Sequence, residues 1–226
     1  MAPGAINWYF STGTNNYENN SSWGVSVASP IISAIAGLTR EWMKDIGWDW
    51  VAENARLVLV NLMVMGDGYA GILGTPAGEY SYTVSKWSGF GRMRAHLLHD
   101  DSLGSGTGWR TGYQWLSTGG VHYYHFPNNP QSSDIKGVKV AVAWYDANFQ
   151  GIGDLDVQIV DLCPPGGGEE VIKTASTSQT MRKRIQLWEE DDIHDRCLYL
   201  RVEALSASSE KYYFALYTYS NSWGLH

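Results

Sequence analysis

The residues best placed to do chemistry lie at 24–30, Gly24-Val25-Ser26-Val27-Ala28-Ser29-Pro30, with the apolar run Ile31, Ile32, Ala34, Ile35, Ala36, Gly37 and Leu38 behind them. This pattern predicts a tight turn feeding a helix, with a serine at the helix start. Backbone N–H groups of a first turn have no intrahelical partner, and that end of the dipole is positive. A serine so placed can cap the helix. It can also be a nucleophile whose oxyanion product meets those N–H groups. The other candidates are weaker. His96 and His99 are three apart and share a face if 91–101 is helical, but no third ligand lies nearby; they read as surface or core histidines, not zinc ligands. The glycine-rich GDGYAGILG lacks the Lys-Ser/Thr that a phosphate loop requires. Arg182-Lys183-Arg184 reads as a solvated strand edge. Cys163 and Cys197 flank different predicted strands, and spacing leaves open whether they pair.

Several elements must position Ser26. Residues 5–11 read as a short strand and 11–22 as a polar loop rich in Asn and Ser. The helix from about Ser26 to about Lys44 is apolar nearly all round, which predicts burial. Gly47 suits its C-terminal cap. Asp49 is expected to cap a second helix carrying Val51, Ala55, Val58, Leu59 and Leu62 on one face, with Gly66 and Gly68 stopping it. Residues 66–86 read as irregular, with a hairpin arm near 80–84. Helical periodicity ends at about 103. Beyond it, candidate strands are 109–116, 121–126, 138–144, 155–160, 185–188, 198–203 and 212–219. Val138, Val140, Val142 and Trp144 alternate with Lys139, Ala141 and Ala143 with the period of a strand. Seven such strands predict an antiparallel sandwich. The fold class is therefore α+β, with a mostly helical part over 1–103 and a β-sandwich over 104–226.

With 226 residues, 44% hydrophobic and 17% charged, the chain can build a packed core and is not a disordered segment. A net charge of −7 argues against a nucleic-acid surface. No apolar run approaches the ~18 residues of a membrane span. The 11 Trp and 14 Tyr suit sandwich cores, and exposed ones would form binding platforms.

GVSVASP resembles the GTSMASP signature around the nucleophile of subtilisin-like serine peptidases. MAPGAINWYFSTGTNNY resembles that family's APG segment, which leads through a strand and loop to the nucleophile. DWVAENARLVLVNLM looks like its next helix, and WSGFGRMRAHLL like its closing GxGxxN-type segment. The four matches follow the family's order over roughly residues 2–100. The resemblance implies the C-terminal portion of a subtilisin-like α/β domain, with Ser26 as nucleophile of a serine endopeptidase acting on peptides or proteins. Val25 and Val27 depart from the usual threonine and methionine, and Trp23 is a bulky neighbour. No residue matches the family's aspartate, histidine or oxyanion asparagine, which precede its APG segment. The expectation is a chain cut from a longer, secreted parent, without a signal peptide of its own and inactive alone.

The second half resembles the jelly-roll domain that follows the catalytic domain in many such peptidases. Their VKVTLAWSD…NDLDLxV pattern is matched by VKVAVAWYD…GDLDVQIVD, through Trp144, Asp146, Asp154, Leu155 and Asp156. Three carboxylates on a strand end and its loop suit calcium; they also suit turn backbone groups and water. No other cofactor is expected. The rival reading is a non-catalytic remnant whose sandwich is a binding or structural module. Expected partners are the missing half of the peptidase or a second copy, because the apolar helix from Ser26 needs cover.

Overall fold

In a computed structural model, the described residues are 5–13, 16–23, 25–67, 92–93, 108–127, 135, 137–144, 154–175, 181–188, 193–205 and 210–219. The expected hairpin arm near 80–84, most of the glycine-rich run, His96 and His99 lie outside them.

The first strand, β1 (Ala5–Gly13), pairs antiparallel with β2 (Asn16–Trp23). The expected polar loop at 11–22 is thus mostly a strand. Tyr17 and Trp23 suit a strand, and cross-strand pairing outweighs the asparagines' turn preference. The helix α1 (Val25–Asp45) follows at once and contains Pro30. Gly47 ends it at φ +79°, its N–H donating to the Lys44 carbonyl. Only glycine adopts that backbone without strain.

The second helical stretch is split. Asp49 does not cap it; it is the first residue of the short α2 (Asp49–Ala52). Asn54 caps the longer α3 (Ala55–Met65), its side chain accepting the Arg56 N–H at 3.1 Å. Gly66 closes α3, and the two-residue β3 (Gly66–Asp67) pairs with β4 (Arg92–Met93). Residues 92–93 are therefore not helical as expected.

Eight more strands follow: β5 (Gly108–Leu116), β6 (Val121–His125), β7 (Gly137–Trp144), β8 (Leu155–Asp161), β9 (Glu170–Thr174), β10 (Arg182–Trp188), β11 (Leu198–Ala204) and β12 (Glu210–Tyr219). They form two four-stranded antiparallel sheets, ordered β10-β7-β12-β5 and β6-β11-β8-β9. All seven expected strands are present. The short, mostly exposed β9 is additional; a strand on the rim of a sheet buries too little to mark itself by periodicity.

The two sheets enclose a core of Phe126, Val138, Val140, Val142, Trp144, Leu155, Val157, Ile159, Leu200, Val202, Tyr212, Phe214 and Leu216, among others. A second core lies on the other side of the first sheet. There Ala141, Ala143, Tyr213, Ala215 and Tyr217 meet Met43, Val51, Leu57, Val60 and Val64 from the helices. The layers are helices, sheet, sheet. This is why β7 is buried at every position although its sequence alternates. Alanines stand on β7 and β12 where α3 packs, and their size permits close approach.

Asn61 fixes α3 to β5. Its Nδ2 donates to the Leu57 carbonyl at 2.7 Å and to Thr111 Oγ1 at 3.1 Å. Its Oδ1 accepts from Trp109 Nε1. The residue is fully buried, and both ends of its amide are engaged.

The helix α1 departs from expectation. Among its described side chains only Thr39 and Met43 are buried, and Leu38 is 55% exposed. Ile31, Ile32 and Ile35 are half-buried. The side chain of Val27 lies outside the described residues. All-round apolarity marks a need for cover that α2, α3 and the sheet meet only near the helix's C-terminal end. The Arg182-Lys183-Arg184 reading is also corrected: Lys183 and Arg184 are buried on β10. Lys183 Nζ donates to the Leu155 carbonyl at 2.7 Å, satisfying the charge inside the rim of the sandwich.

Cys163 and Cys197 form a disulfide that joins the end of β8 to the approach of β11, 34 residues apart. Replacing both by serine should lower unfolding free energy by ~3–4 kcal/mol, from the chain entropy of a loop of that length. Urea unfolding of the oxidised protein and the double variant would measure this; equal midpoints would refute it.

Candidate functional site

Ser26 occupies the second position of α1, directly after the β1–β2 hairpin, and it is exposed. Its location in the first turn agrees with the sequence reading. Pro30 is four residues on and has no N–H, so the Ser26 carbonyl lacks its usual helical donor. The first-turn N–H groups likewise have no intrahelical acceptor. The hydroxyl thus stands beside backbone donors at the positive end of a 21-residue helix. Gly24 lies outside the described residues.

Three of the six histidines are described, and all belong to the sandwich. His122 and His125 are on β6, and His194 is in the turn before β11. His125 packs edge-on against Tyr199.

Of the carboxylates matched to calcium, Asp146 lies outside the described residues. Asp154 immediately precedes β8, with Lys183 Nζ 3.4 Å from its Oδ1. Asp156 is on β8 and accepts from Gln158 Nε2 at 2.8 Å. Each already has a side-chain partner, and the Lys183 ammonium supplies positive charge where a cation would. Two such groups are well short of the six to eight oxygens that calcium takes. A further cluster, Asp161, Cys163 and Cys197, has ligand-type atoms within 4.8 Å of one another. Its sulfurs are joined, and it is the thiolate that binds metal. Asp161 instead accepts the backbone N–H groups of Cys163 and Cys197, each at 2.9 Å. It anchors the disulfide.

Sequence reasoning missed one polar cluster inside the sandwich. His122 Nδ1 lies 2.7 Å from the Tyr212 hydroxyl, and the Tyr124 and Tyr212 hydroxyls are hydrogen-bonded to each other. Tyr212 is fully buried. Burial pushes its phenol far above the ordinary range, with the Tyr124 hydroxyl adding to the shift. Burial raises Tyr124 as well. The signal was present in His122-Tyr123-Tyr124-His125, where strand alternation sends His122 and Tyr124 to one face.

No protein-family model matches the chain, and no curated protein does. Among solved structures, the mitogen of Yersinia pseudotuberculosis is similar at TM-score 0.36 and 13% identity, over 51% of this chain and 87% of that one. Pseudomonas aeruginosa AlgX is similar at 0.34 and 14%, over 55% of this chain and 30% of its own. A Bacillus endospore appendage pilin is similar at 0.30 and 10%, over 52% and 90%. At these scores the likeness carries no inference about fold or function.

The raised tyrosines give stability a pH dependence with a definite sign. The unfolded chain's phenols ionise near pH 10 and the buried ones do not. Their contribution is therefore complete below about pH 10 and is lost as pH rises beyond it. Urea midpoints should be level between pH 7 and 9 and fall above 10. Tyr212→Phe should be less stable by ~1–2 kcal/mol at pH 7, from the lost hydrogen bonds. Its alkaline decline should also be shallower than the parent's; an identical decline would contradict the assignment.

Proposed function

We propose that this chain carries the nucleophile segment of a subtilisin-like serine endopeptidase, joined to a jelly-roll-like sandwich. The observation that supports the reading is the exposed Ser26 hydroxyl in the first turn of a long helix, in the sequence GVSVASP. In this reading Ser26 Oγ bonds to the scissile carbonyl carbon while its proton passes to a histidine base. The developing oxyanion is held in part by the Ser26 N–H. A neutral serine is a weak nucleophile and requires that base. No residue here matches it, so the chain acts only with a polypeptide supplying the family's aspartate, histidine and oxyanion asparagine.

The surface we assign to that polypeptide is the under-covered side of α1. It includes a groove of about 480 Å³ between α1 and α3, lined by Ala36, Arg40, Val58 and Leu62. An exposed apolar patch of this kind marks an association surface. A disulfide accords with a secreted parent, since such bonds persist in oxidising compartments. Calcium at Asp146, Asp154 and Asp156 belongs to the same proposal but has less support, given the partners of the latter two.

The test is labelling by a fluorophosphonate probe. The chain alone should not be labelled at neutral pH. Co-expressed with a segment carrying the aspartate and histidine, it should be labelled and should cleave a peptide substrate, and Ser26→Ala should abolish both. Labelling of the complemented chain that survives Ser26→Ala, or cleavage that never appears in a soluble complex, would sink the reading. The second outcome would favour the non-catalytic module.

A further inference from the structure

We infer that the open end of the helix-facing surface of the first sheet is a binding site for a short neutral oligosaccharide. This goes beyond the peptidase reading and does not rest on it, since it involves neither Ser26 nor α1. Strand β5 alternates, and its residues Trp109, Thr111, Tyr113 and Trp115 face the helix layer. They pair with Tyr217, Ala215, Tyr213 and Lys211 of β12. The helices cover one end of these two rows, where Trp109 packs on Tyr217 and Trp42. Cover runs out before Tyr113 and Trp115, which are 43% and 57% exposed. Trp50 on α2, 51% exposed, completes the surface. Its ring lies 6.4 Å from that of Tyr113, inclined at 65°.

Three half-exposed aromatic rings on rigid elements call for an explanation, because each leaves apolar area in water. The frame holds them in place. Lys211 Nζ lies 4.1 Å above the Tyr113 ring and 5.7 Å from that of Trp115. Arg56 donates to the Tyr213 hydroxyl at 2.8 Å with its guanidinium 5.4 Å above that ring.

Area decides against a protein partner. An aromatic side chain presents about 150–250 Å², so three half-exposed ones offer roughly 300 Å². A stable protein interface needs about 800 Å² per partner. Charge decides against a polyanion: the chain carries −7, and Trp50 lies on a helix that begins with exposed Asp49 and runs up to exposed Glu53. What remains is an amphipathic ligand about the size of the patch. A pyranose ring has an apolar face whose polarised C–H groups suit the electron-rich face of Trp or Tyr. Its hydroxyls both donate and accept; the Lys211 ammonium, held over the Tyr113 ring, is a donor at the patch, and Trp50 is flanked in sequence by the exposed acidic residues Asp49 and Glu53.

Isothermal titration of the full chain with cellohexaose, mannohexaose, chitohexaose and an oligogalacturonate of equal length tests this. At least one neutral hexasaccharide should bind with Kd below about 1 mM. Trp115→Ala and Trp50→Ala should each weaken it about tenfold, the loss of one stacked ring. Both side chains are half-exposed, so urea midpoints should stay at the parent's value and certify the fold. Tyr212→Phe, altered inside the sandwich, should bind as the parent does. Absence of binding by every neutral sugar, binding of the oligogalacturonate alone, or affinity unchanged in both folded tryptophan variants would each overturn the proposal.

Discussion

The structure depends on a strand that is buried on both faces. β12 sends Tyr212, Phe214 and Leu216 into the sandwich and Tyr213, Ala215 and Tyr217 against the helices. It also pairs with β5 on one side and β7 on the other. Its side-chain burial is thus shared between two cores, and its backbone is paired along two edges. Aromatic rings on both faces fill wide spaces, and the single alanine between Tyr213 and Tyr217 leaves room for α3. Burying such a ladder satisfies backbone donors and acceptors that would otherwise cost free energy in a dry interior. Neither core could close without this strand.

The same geometry shows what sequence could reveal. Strands packed on a core carry β-branched and aromatic residues, at alternate positions where one face is covered and in runs where both are, so all seven expected strands are present. What the pattern could not show is which layer covers each face. Ala141 and Ala143 look like the open side of β7 by residue type, yet they lie under α3. The hairpin β1–β2 was half-hidden because Asn and Ser dominate its second strand; pairing with the apolar first strand, not local propensity, made it. For α1 the error ran the other way. Its apolar residues signal a requirement for cover, and burial depends on whether another layer is present.

Chemistry was legible where one residue and its neighbours suffice. Ser26 stands in the first turn of its helix because turn, serine and Pro30 are local in sequence. Sites gathered from distant strands were not. The Tyr124–Tyr212 pair joins residues 88 apart, and Trp50 meets Tyr113 across two elements of different kinds. Both pairs form only when layers stack, one sheet on the other for the tyrosines and helix on sheet for Trp50 and Tyr113. The carboxylate reading shows a further limit. Spacing grouped Asp154 with Asp156, but it gave no sign that Lys183, on the other sheet, would reach into the rim beside Asp154.

The chain order of these layers has a consequence for folding. The helices precede β12 in the chain by more than 140 residues, yet α3 packs chiefly on β12 and β7. Until the C-terminal strand inserts between β5 and β7, the apolar side of α3 has only an incomplete sheet to dock against. Helix propensity alone does not hold an 11-residue helix in water. Its N-cap at Asn54 contributes only about 1 kcal/mol. The loop closed by pairing β12 with β5 spans about a hundred residues, and long-range pairing of this kind is slow because loop entropy is lost before contacts repay it. The disulfide, Cys163–Cys197, lies within that loop and short-circuits 34 of its residues, yet the pairing remains long-range. Assembly of the helix layer, and with it the positioning of Trp50 over β5 and of α1 behind Ser26, is therefore governed by when the last strand arrives.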